Sequence, residues 1–358
     1  MKTTKIQWCH SSVNPVMGCD GCELWKSAAA IQAILLAFLL RLTSLSGPLV
    51  RRMLAQTLGD RVISEVYRDR EAIADQLVLN LRLNHRDRQP IIDVLRHESK
   101  CYAGILGVLR AGHNGYADGF EIPKIFPGRM AKAANWGAPT SEEIADKSWL
   151  LGLPRLVSIS DMGDALSKTI PFEYLRDEII LNANSPAGRK HIWLWLSKRP
   201  ARMAEFGRWL SKSGAMWPDN LMAMTTVTGP NFAGRVDELR KVPAKLKGLS
   251  LEPLFAPVRL NLRGINWLIV GGGSDVLADP FHLEWALDLR RQAATSGVSF
   301  FLKQAGKHPF FKDKPLELTD GHGGDWSEWP KGLRVRELPE EFYAWGSEAP
   351  IVPEPKML

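Results

Sequence analysis

Cysteine is scarce in this chain, with 4 among 358 residues. That number excludes the dense disulfide framework of small secreted domains and favours a reducing compartment. No apolar run is long enough to span a bilayer, because the longest, residues 28–40, is interrupted by Gln32 and predicts a buried helix instead. The first residues, MKTTK, lack the apolar core of a signal peptide. We therefore expect a cytoplasmic protein without membrane contact.

Common catalytic motifs are also missing. The chain contains no G-x-S-x-G, P-loop or H-E-x-x-H sequence, so hydrolase and nucleoside-triphosphatase functions have no support. The charge balance is less restrictive. A net charge of +7, from 46 Lys and Arg against 39 Asp and Glu, fits a polyanionic partner such as a nucleic acid. The same excess occurs in ordinary soluble enzymes, so charge alone does not decide between them.

Short apolar runs alternate with longer amphipathic ones, the pattern of a parallel α/β protein. Eight segments are predicted as strands: Lys5–Trp8, Phe120–Phe126, Arg155–Ser160, His191–Ser197, Leu221–Val227, Gly248–Leu251, Asn266–Val270 and Ser299–Lys303. Helices are predicted over Pro171–Asn182, Pro200–Ser211 and Leu283–Thr295. Eight βα units predict a TIM-like (β/α) barrel, full or partial, with an inserted helical subdomain.

The insertion is the segment 23–99, which shows helical periodicity and is rich in arginine. It is predicted to be either a platform for a substrate or partner protein, or a solvated helical subdomain with no ligand. The barrel is then assembled from residues 1–22 and 100–310. Residues 311–358 are polar and rich in proline, which predicts an extended C-terminal tail.

Three cysteines carry the clearest chemical signal. Cys19 and Cys22 form a C-x2-C pair in the loop after the first predicted strand, and Cys101 lies far downstream. Three converging thiolates can hold three irons of a 4Fe–4S cluster and leave the fourth iron open. The alternative is a structural zinc site, which needs four ligands. His10, beside Cys9, could complete such a site with Cys19 and Cys22, and Cys101 would then lack a role. The residues alone leave both metals possible.

The ends of the predicted strands are unusually polar. Because active sites of βα barrels lie at the carboxyl ends of their strands, these residues are the candidates for one cavity shared with the cysteines. Each also has a structural explanation: Asp161 can cap a helix, Glu252 can pair with Lys198 or Lys303, and the glycines can form a tight turn. The candidates are Ser160, Asp161, Lys198, Arg199, Thr226, Glu252, Gly271, Gly272 and Lys303.

Taken in order, these segments resemble the three-Cys-motif proteins of phages and mobile elements, radical-SAM-like barrels of mostly unknown function. The resemblance covers nearly all of the chain except the insertion. It rests on the following segments: Ile6-x-Trp8, Asn14-Pro15-Val16, Gly18-Cys19, Gly21-Cys22, Cys101-Tyr102-Ala103, Ser160-Asp161-Met162, Lys198-Arg199-Pro200, Leu251-Glu252-Pro253-Leu254, Trp267 to Gly272 and Phe300 to Gln304.

The chain departs from the family pattern in three places. Residues 23–100 separate Cys22 from Cys101, where the family usually has two residues. Gly273 replaces the usual Glu after Gly271-Gly272, and a Gly-Gly-Glu segment after the second strand is not visible. The insertion is compatible with one shared site if its two ends meet, as the ends of an inserted domain commonly do.

The resemblance implies a radical SAM enzyme. Cys19, Cys22 and Cys101 would bind a 4Fe–4S cluster, and S-adenosylmethionine would be cleaved to a 5′-deoxyadenosyl radical that abstracts hydrogen from a nucleic acid or nucleotide. The implied catalytic residues are Glu252, Lys198 and Asp161. The implied cofactor-binding residues are Ser160, Asp161, Arg199, Thr226, Gly271, Gly272 and Lys303. The alternative is a non-enzymatic, zinc-stapled nucleic-acid-binding or scaffold protein that works with a partner protein docked on residues 23–99.

Overall fold

Seven parallel strands form the main sheet of this protein. The computed structural model describes residues 4–26, 28–59, 63–97, 101–110, 112–113, 116, 119–275 and 278–348. Two compact units account for them. The first takes its residues from Met1–Pro15, Phe126–Asp161 and Ile170–Leu358, and the second from Val16–Ile125 and Met162–Thr169. No helix in the described part of the chain is both long and apolar enough to cross a membrane.

The sheet of the first unit has the order β1-β4-β5-β6-β7-β8-β10. Its strands are β1 (Ser11–Val13), β4 (Arg155–Ile159), β5 (His191–Ser197), β6 (Leu221–Thr226), β7 (Lys247–Leu251), β8 (Trp267–Gly271) and β10 (Ser299–Gln304). All pair in parallel. Nearly every residue of these strands is buried, which is why their sequences are continuous apolar runs rather than alternating ones.

Helices lie between these strands in the chain, and one more follows the last strand. They are α7 (Arg129–Ala134), α8 (Ser141–Ile144), α9 (Phe172–Leu175), α10 (Leu181–Asn184), α11 (Pro200–Lys212), α12 (Arg235–Arg240), α13 (Leu283–Ser296) and α14 (Glu340–Glu348). A π-helical turn, Arg176–Ile180, joins α9 to α10. A small sheet holds β9 (Phe281–His282), β11 (Pro309–Phe311) and β12 (Lys314–Pro315). Six predicted strands, from Arg155 onward, and the three predicted helices are thus confirmed to within a few residues.

The prediction of an eight-stranded TIM-like barrel is wrong, because the sheet is open and has seven strands. Among the described residues β1 pairs only with β4, and β10 pairs within the sheet only with β8. The outer edge of β10 is covered by the C-terminal region instead. Leu302 donates its amide hydrogen to the Val335 carbonyl at 2.9 Å, and Glu337 donates to the Phe300 carbonyl at 2.9 Å. A covered edge has no donors or acceptors left to close a barrel.

Lys5–Trp8 is not a strand. The carbonyls of this segment are bound by side chains rather than by a neighbouring strand. The Lys147 ammonium donates to the carbonyls of Thr4, Ile6 and Cys9 at 2.6, 2.8 and 2.9 Å. The Trp149 indole donates to the Gln7 carbonyl at 2.9 Å. The alternation of Ile6 and Trp8 therefore reflects anchoring in the core, and the first strand of the sheet begins at Ser11.

The second unit contains most of the predicted insertion. Its helices are α1 (Ala28–Leu42), α2 (Gly47–Leu58), α3 (Ile63–Arg68), α4 (Arg70–Asn80), α5 (Arg88–His97) and α6 (Tyr102–Leu109). Helix α1 buries one stripe, Ile31, Leu35 and Leu39. The predicted strand Phe120–Phe126 reduces to β3 (Lys124–Ile125), which pairs antiparallel with β2 (Val16–Met17) outside the main sheet. Residues 27, 60–62, 98–99 and 349–358 of the predicted insertion and tail lie outside the described residues.

Two buried histidines make the first unit sensitive to acid. Burial, helped by the nearby Arg155 guanidinium, lowers the pKa of His10 to about 4, and burial likewise lowers the pKa of His191 to about 4. In the unfolded chain each histidine has an ordinary pKa near 6.5. Between these values the unfolded chain binds protons that the folded chain excludes. The free energy of unfolding is therefore complete above about pH 6.5 and falls as the pH drops toward 4.

We expect this loss to reach about 1.4 kcal/mol per pH unit for each histidine near pH 5. His10→Asn keeps an acceptor for the Leu156 amide, now bound at 2.9 Å, and His191→Gln keeps a donor for the Ala134 carbonyl, now 3.1 Å away. The double variant should flatten the slope of unfolding free energy against pH in denaturant titrations. The exposed His113→Gln serves as the control and should leave that slope unchanged.

Candidate functional site

The loop that carries Cys19 is fixed by its backbone on both sides. Gly18 donates to the Met162 carbonyl and accepts from the Asp164 amide, both at 3.1 Å. On the other side the Cys19 amide donates to the Phe120 carbonyl at 2.7 Å. Gly18 has a φ of +88°, and a Cβ there would stand 2.7 Å from the Phe120 oxygen. Only glycine fits between these two backbones, which explains the Gly-Cys pair of the motif.

Cys22 lies in a tight turn closed by Trp25. The two residues exchange backbone hydrogen bonds, from the Cys22 amide at 3.1 Å and from the Trp25 amide at 3.2 Å. The Leu24 amide donates to Cys22 Sγ at 3.4 Å. An amide that donates to a cysteine sulfur stabilises its thiolate form, because hydrogen bonding to the charged form of an acid favours that form. Metal ligation requires the thiolate.

Cys101 immediately precedes α6, and its carbonyl accepts from the Ile105 amide at 2.9 Å. Two glycines of α6 allow the cysteine loop to approach. A Cβ on Gly104 would lie 2.5 Å from Cε3 of Trp25, and one on Gly107 would lie 2.9 Å from Cδ2 of Phe120. The two rings meet edge to face with centroids 5.4 Å apart. The backbone segments of the three cysteines are thus brought together within the second unit.

The donor set suits a thiophilic metal centre. Cys19 is buried, and Cys22 and Cys101 are half-buried, so all three are shielded from solvent but within reach of a ligand. In the part of the chain that the structure describes, no three His, Cys, Asp or Glu side chains already stand at metal-ligand spacing. The residue types suit a three-thiolate cluster, and the shared site of the three cysteines stays a prediction.

Cys9 and His10 are both buried in the first unit. Burial raises the pKa of the Cys9 thiol to about 12. His10 Nδ1 accepts from the Leu156 amide, and the ring is buried in the first unit. The zinc alternative, with Cys9 and His10 among its ligands, stays a prediction.

One group of predicted site residues follows β4 in the first unit. Ser160 has a φ of +68°, a conformation that L-residues with a side chain rarely adopt. Its hydroxyl is buried and has no hydrogen-bond partner among the described residues. Asn14 Nδ2 donates to Asp161 Oδ1, so Asp161 is oriented by a motif residue rather than by capping a helix. Strain and an unpaired buried hydroxyl at a strand end are typical of a ligand site.

A second group surrounds Glu252. Lys303 Nζ donates to Glu252 Oε2 at 2.8 Å, and Glu252 Oε1 is buried without a partner in the described chain. Gly271 is adjacent, since a Cβ there would stand 3.6 Å from Cγ of Glu252. Gln304 Nε2 donates to the Gly272 carbonyl at 2.8 Å, which holds the glycines in place. The predicted ion pair with Lys303 therefore exists, and it occupies only one of the two carboxylate oxygens.

The two groups follow different strands of the same sheet. Three strand spacings lie between β4 and β7 in the sheet order, about 14 Å measured along the sheet at 4.8 Å per strand. Thr226 is buried at the end of β6, and its carbonyl accepts from Arg235 at 3.0 Å. Lys198 and Arg199 lie half-buried in the turn between β5 and α11, where the Arg199 amide donates to Ser197 Oγ at 2.9 Å. The intervening strand ends are thus polar, as predicted.

Sequence reasoning missed Asn14, Gln304, Trp25 and Gly104 as site-forming residues. Asn14 and Gln304 stood in the quoted motifs, so their polar side chains were an available signal. Trp25 and Gly104 lie just beyond the motif cysteines, in segments that carry no repeated pattern. Their contact joins parts of the chain separated by 78 residues, 26 to 103, and a single sequence gives no sign of such a contact.

Comparison with known proteins gives one match. Residues 98–330, more than half of the chain, match a family described as "Protein of unknown function (DUF5131)". No curated protein and no solved structure matches. The matched region begins just before Cys101 and includes every predicted site residue except Cys19 and Cys22. The chain belongs to the DUF5131 family of proteins of unknown function.

Proposed function

We propose that this protein is a phage-type radical SAM enzyme whose 4Fe–4S cluster is held by Cys19, Cys22 and Cys101. The observation that carries the proposal is the docking of the cysteine loop on α6 through Trp25 and Phe120. A sequence insertion that separated the third thiol from the other two would leave only a pair of ligands. Three thiolates that converge on one point can bind three irons of a 4Fe–4S cluster and leave the fourth iron open to an exogenous ligand.

When bound, a reduced cluster would give one electron to the sulfonium of S-adenosylmethionine, which would split into methionine and a 5′-deoxyadenosyl radical able to take a hydrogen atom from the substrate. The chain orients its ligands. Ser160 offers a buried hydroxyl, and Asp161 offers a carboxylate turned by Asn14. Glu252 offers an unpaired oxygen for an N–H or O–H donor, while Lys303 neutralises its other oxygen. Arg199, Thr226, Gly271 and Gly272 complete the proposed cofactor contacts, and Lys198 joins Asp161 and Glu252 as a proposed catalytic residue.

A nucleic acid or nucleotide is the proposed substrate class. Support comes from the net charge of +7 and from exposed arginines of the second unit, such as Arg51 and Arg52 on α2. We place the reaction in the cytoplasm, because thiols that bind iron need a reducing compartment. Deleting α1 to α5 tests whether a partner protein docks on the insertion, since unchanged recovery of a co-purified partner contradicts such docking.

The test is anaerobic purification and reconstitution with iron and sulfide. We expect iron and sulfide to be bound in equal amounts, and 5′-deoxyadenosine to form once a reductant and S-adenosylmethionine are added. Finding one tightly held zinc and no bound iron would falsify the proposal and support the zinc-stapled alternative. Addition of DNA or RNA should give salt-dependent binding, since neutralising phosphates releases counterions.

A further inference from the structure

Two aromatic side chains lie between the cysteine loop and α6. Trp25 comes three residues after Cys22 and packs on Gly104, three residues after Cys101. Phe120, whose carbonyl holds the Cys19 amide, packs on Gly107, one turn further along the helix. Trp25 is hydrogen-bonded to Cys22, and Phe120 is hydrogen-bonded to Cys19. Each of the two contacts therefore links the C-x2-C loop to a glycine of α6, the helix that directly follows Cys101. Trp25 is almost completely buried, with 1% of its surface exposed.

A long separation between ligands has a physical consequence. The entropy lost in bringing two chain segments together grows with the logarithm of the number of residues between them. Residues 23–100 separate Cys22 from Cys101, so covalent spacing does not hold these thiols near each other. Non-covalent contacts have to hold the two chain segments together. The packing of an indole ring against a glycine backbone is specific in distance and angle, because no side chain lies between them.

We infer that Trp25 is a positioning residue for the third thiolate, and that Gly104 is glycine so that the indole can seat on the backbone of α6. The contact keeps Cys101 close to Cys22, as a spacing of only two residues between the cysteines would otherwise do. The affinity of the three-thiolate site for a thiophilic metal therefore depends on it. This inference rests on the proposed site at Cys19, Cys22 and Cys101, and it adds residues that touch neither metal nor substrate.

The test uses Co²⁺ as a probe of the apo full-length chain. Cobalt bound by thiolates shows sulfur-to-metal charge-transfer absorption that increases with the number of thiolates. We expect the three-thiolate signal in the unmodified chain. In Gly104→Ala the new methyl group meets the Trp25 ring at 2.5 Å, so α6 must move away. We expect Co²⁺ affinity to fall by about 10- to 100-fold and the signal of one thiolate to be lost.

Two further variants separate positioning from general damage. Trp25→Leu removes the ring without adding a clash, and it should show the same loss of one thiolate. Gly47→Ala introduces the same methyl group in α2, where the nearest atom is 4.0 Å away, and should bind like the unmodified chain. Wild-type Co²⁺ affinity in Trp25→Leu or in folded Gly104→Ala overturns the inference. If Cys101→Ala already shows the same signal as the unmodified chain, the proposed three-cysteine site fails instead.

Discussion

Replacing Cys101 with Ala is expected to abolish cluster binding and with it the formation of 5′-deoxyadenosine. Of the three cysteines, Cys101 was the hardest to assign to the site from the sequence, because 78 residues, 23 to 100, separate it from Cys22. The structure brings its helix against the Cys22 turn through Gly104 and Trp25. A direct ligand should matter at least as much as the outer-shell partners of metal sites, whose loss costs up to about 100-fold in affinity.

The measurement is the iron and sulfide content after anaerobic reconstitution, followed by the yield of 5′-deoxyadenosine. Cys9→Ala is the matched control. Cys9 is fully buried in the first unit, and its pKa of about 12 keeps it a thiol. We expect this variant to retain full iron content and activity. Wild-type iron content in Cys101→Ala, or an equal loss in both variants, would show that Cys101 has no special place in the site.

The sheet was predictable where the sequence contains continuous apolar runs. Six buried strands, such as His191–Ser197, follow directly from such runs, because parallel strands covered on both faces admit few polar residues. The first strand was misplaced. Ile6 and Trp8 alternate with polar residues as strand residues do, yet the carbonyls of this segment bind Lys147 and Trp149. Side-chain donors that come from 141 to 143 positions away leave no local signal.

Sheet closure could not be deduced from a strand count. An eighth strand was expected at Phe120–Phe126, but only Lys124–Ile125 pairs, and it does so with Val16–Met17. The outer edge of β10 is covered by residues 335–337, in a region whose proline content predicted an extended tail. Arg336 holds this cover through the carbonyls of Leu302 and Lys303, with its guanidinium over the Trp149 ring. Edge pairing here depends on a contact with a segment more than 30 residues further along the chain, from Phe300 to Glu337, and residue periodicity carries no information about such contacts.

The candidate site was predictable to the extent that its residues follow strands. Asp161 and Glu252 follow β4 and β7, and Lys303 lies next to the last residue of β10, so all three are at the carboxyl ends of parallel strands in the first unit. The hydrogen-bond and ion-pair partners of these side chains were harder to predict from the sequence. The Glu252–Lys303 pair was one of two structural alternatives, whereas the bond from Asn14 to Asp161 spans 147 positions and was not foreseen. A position at a strand end places a polar side chain at one edge of the sheet. The residue with which it pairs depends on the neighbouring strands and loops.

Glu252→Gln is expected to reduce the turnover of S-adenosylmethionine by at least about 100-fold with little change in the fold. Gln has nearly the same shape, and its amide oxygen can keep the contact with Lys303, now 2.8 Å from Oε2. The amide nitrogen then occupies the position of Oε1, the buried oxygen that has no partner among the described residues. A ligand donor would meet a donor there instead of an acceptor. Losing a charged group that acts in proton transfer or orientation typically costs about 10²- to 10⁴-fold.

Glu337→Gln provides the matched control, because Glu337 also accepts a hydrogen bond at β10, from the Phe300 amide at 2.9 Å, but lies exposed. It should retain wild-type turnover. The structural explanation of Glu252, a carboxylate kept only to neutralise Lys303, predicts a different result. On that explanation, Glu252→Gln leaves the Lys303 charge unpaired and lowers thermal stability while turnover per folded molecule is retained. If Oε1 instead receives a ligand donor, Glu252→Gln keeps its thermal stability and loses turnover, so measuring both quantities on one preparation distinguishes the two roles.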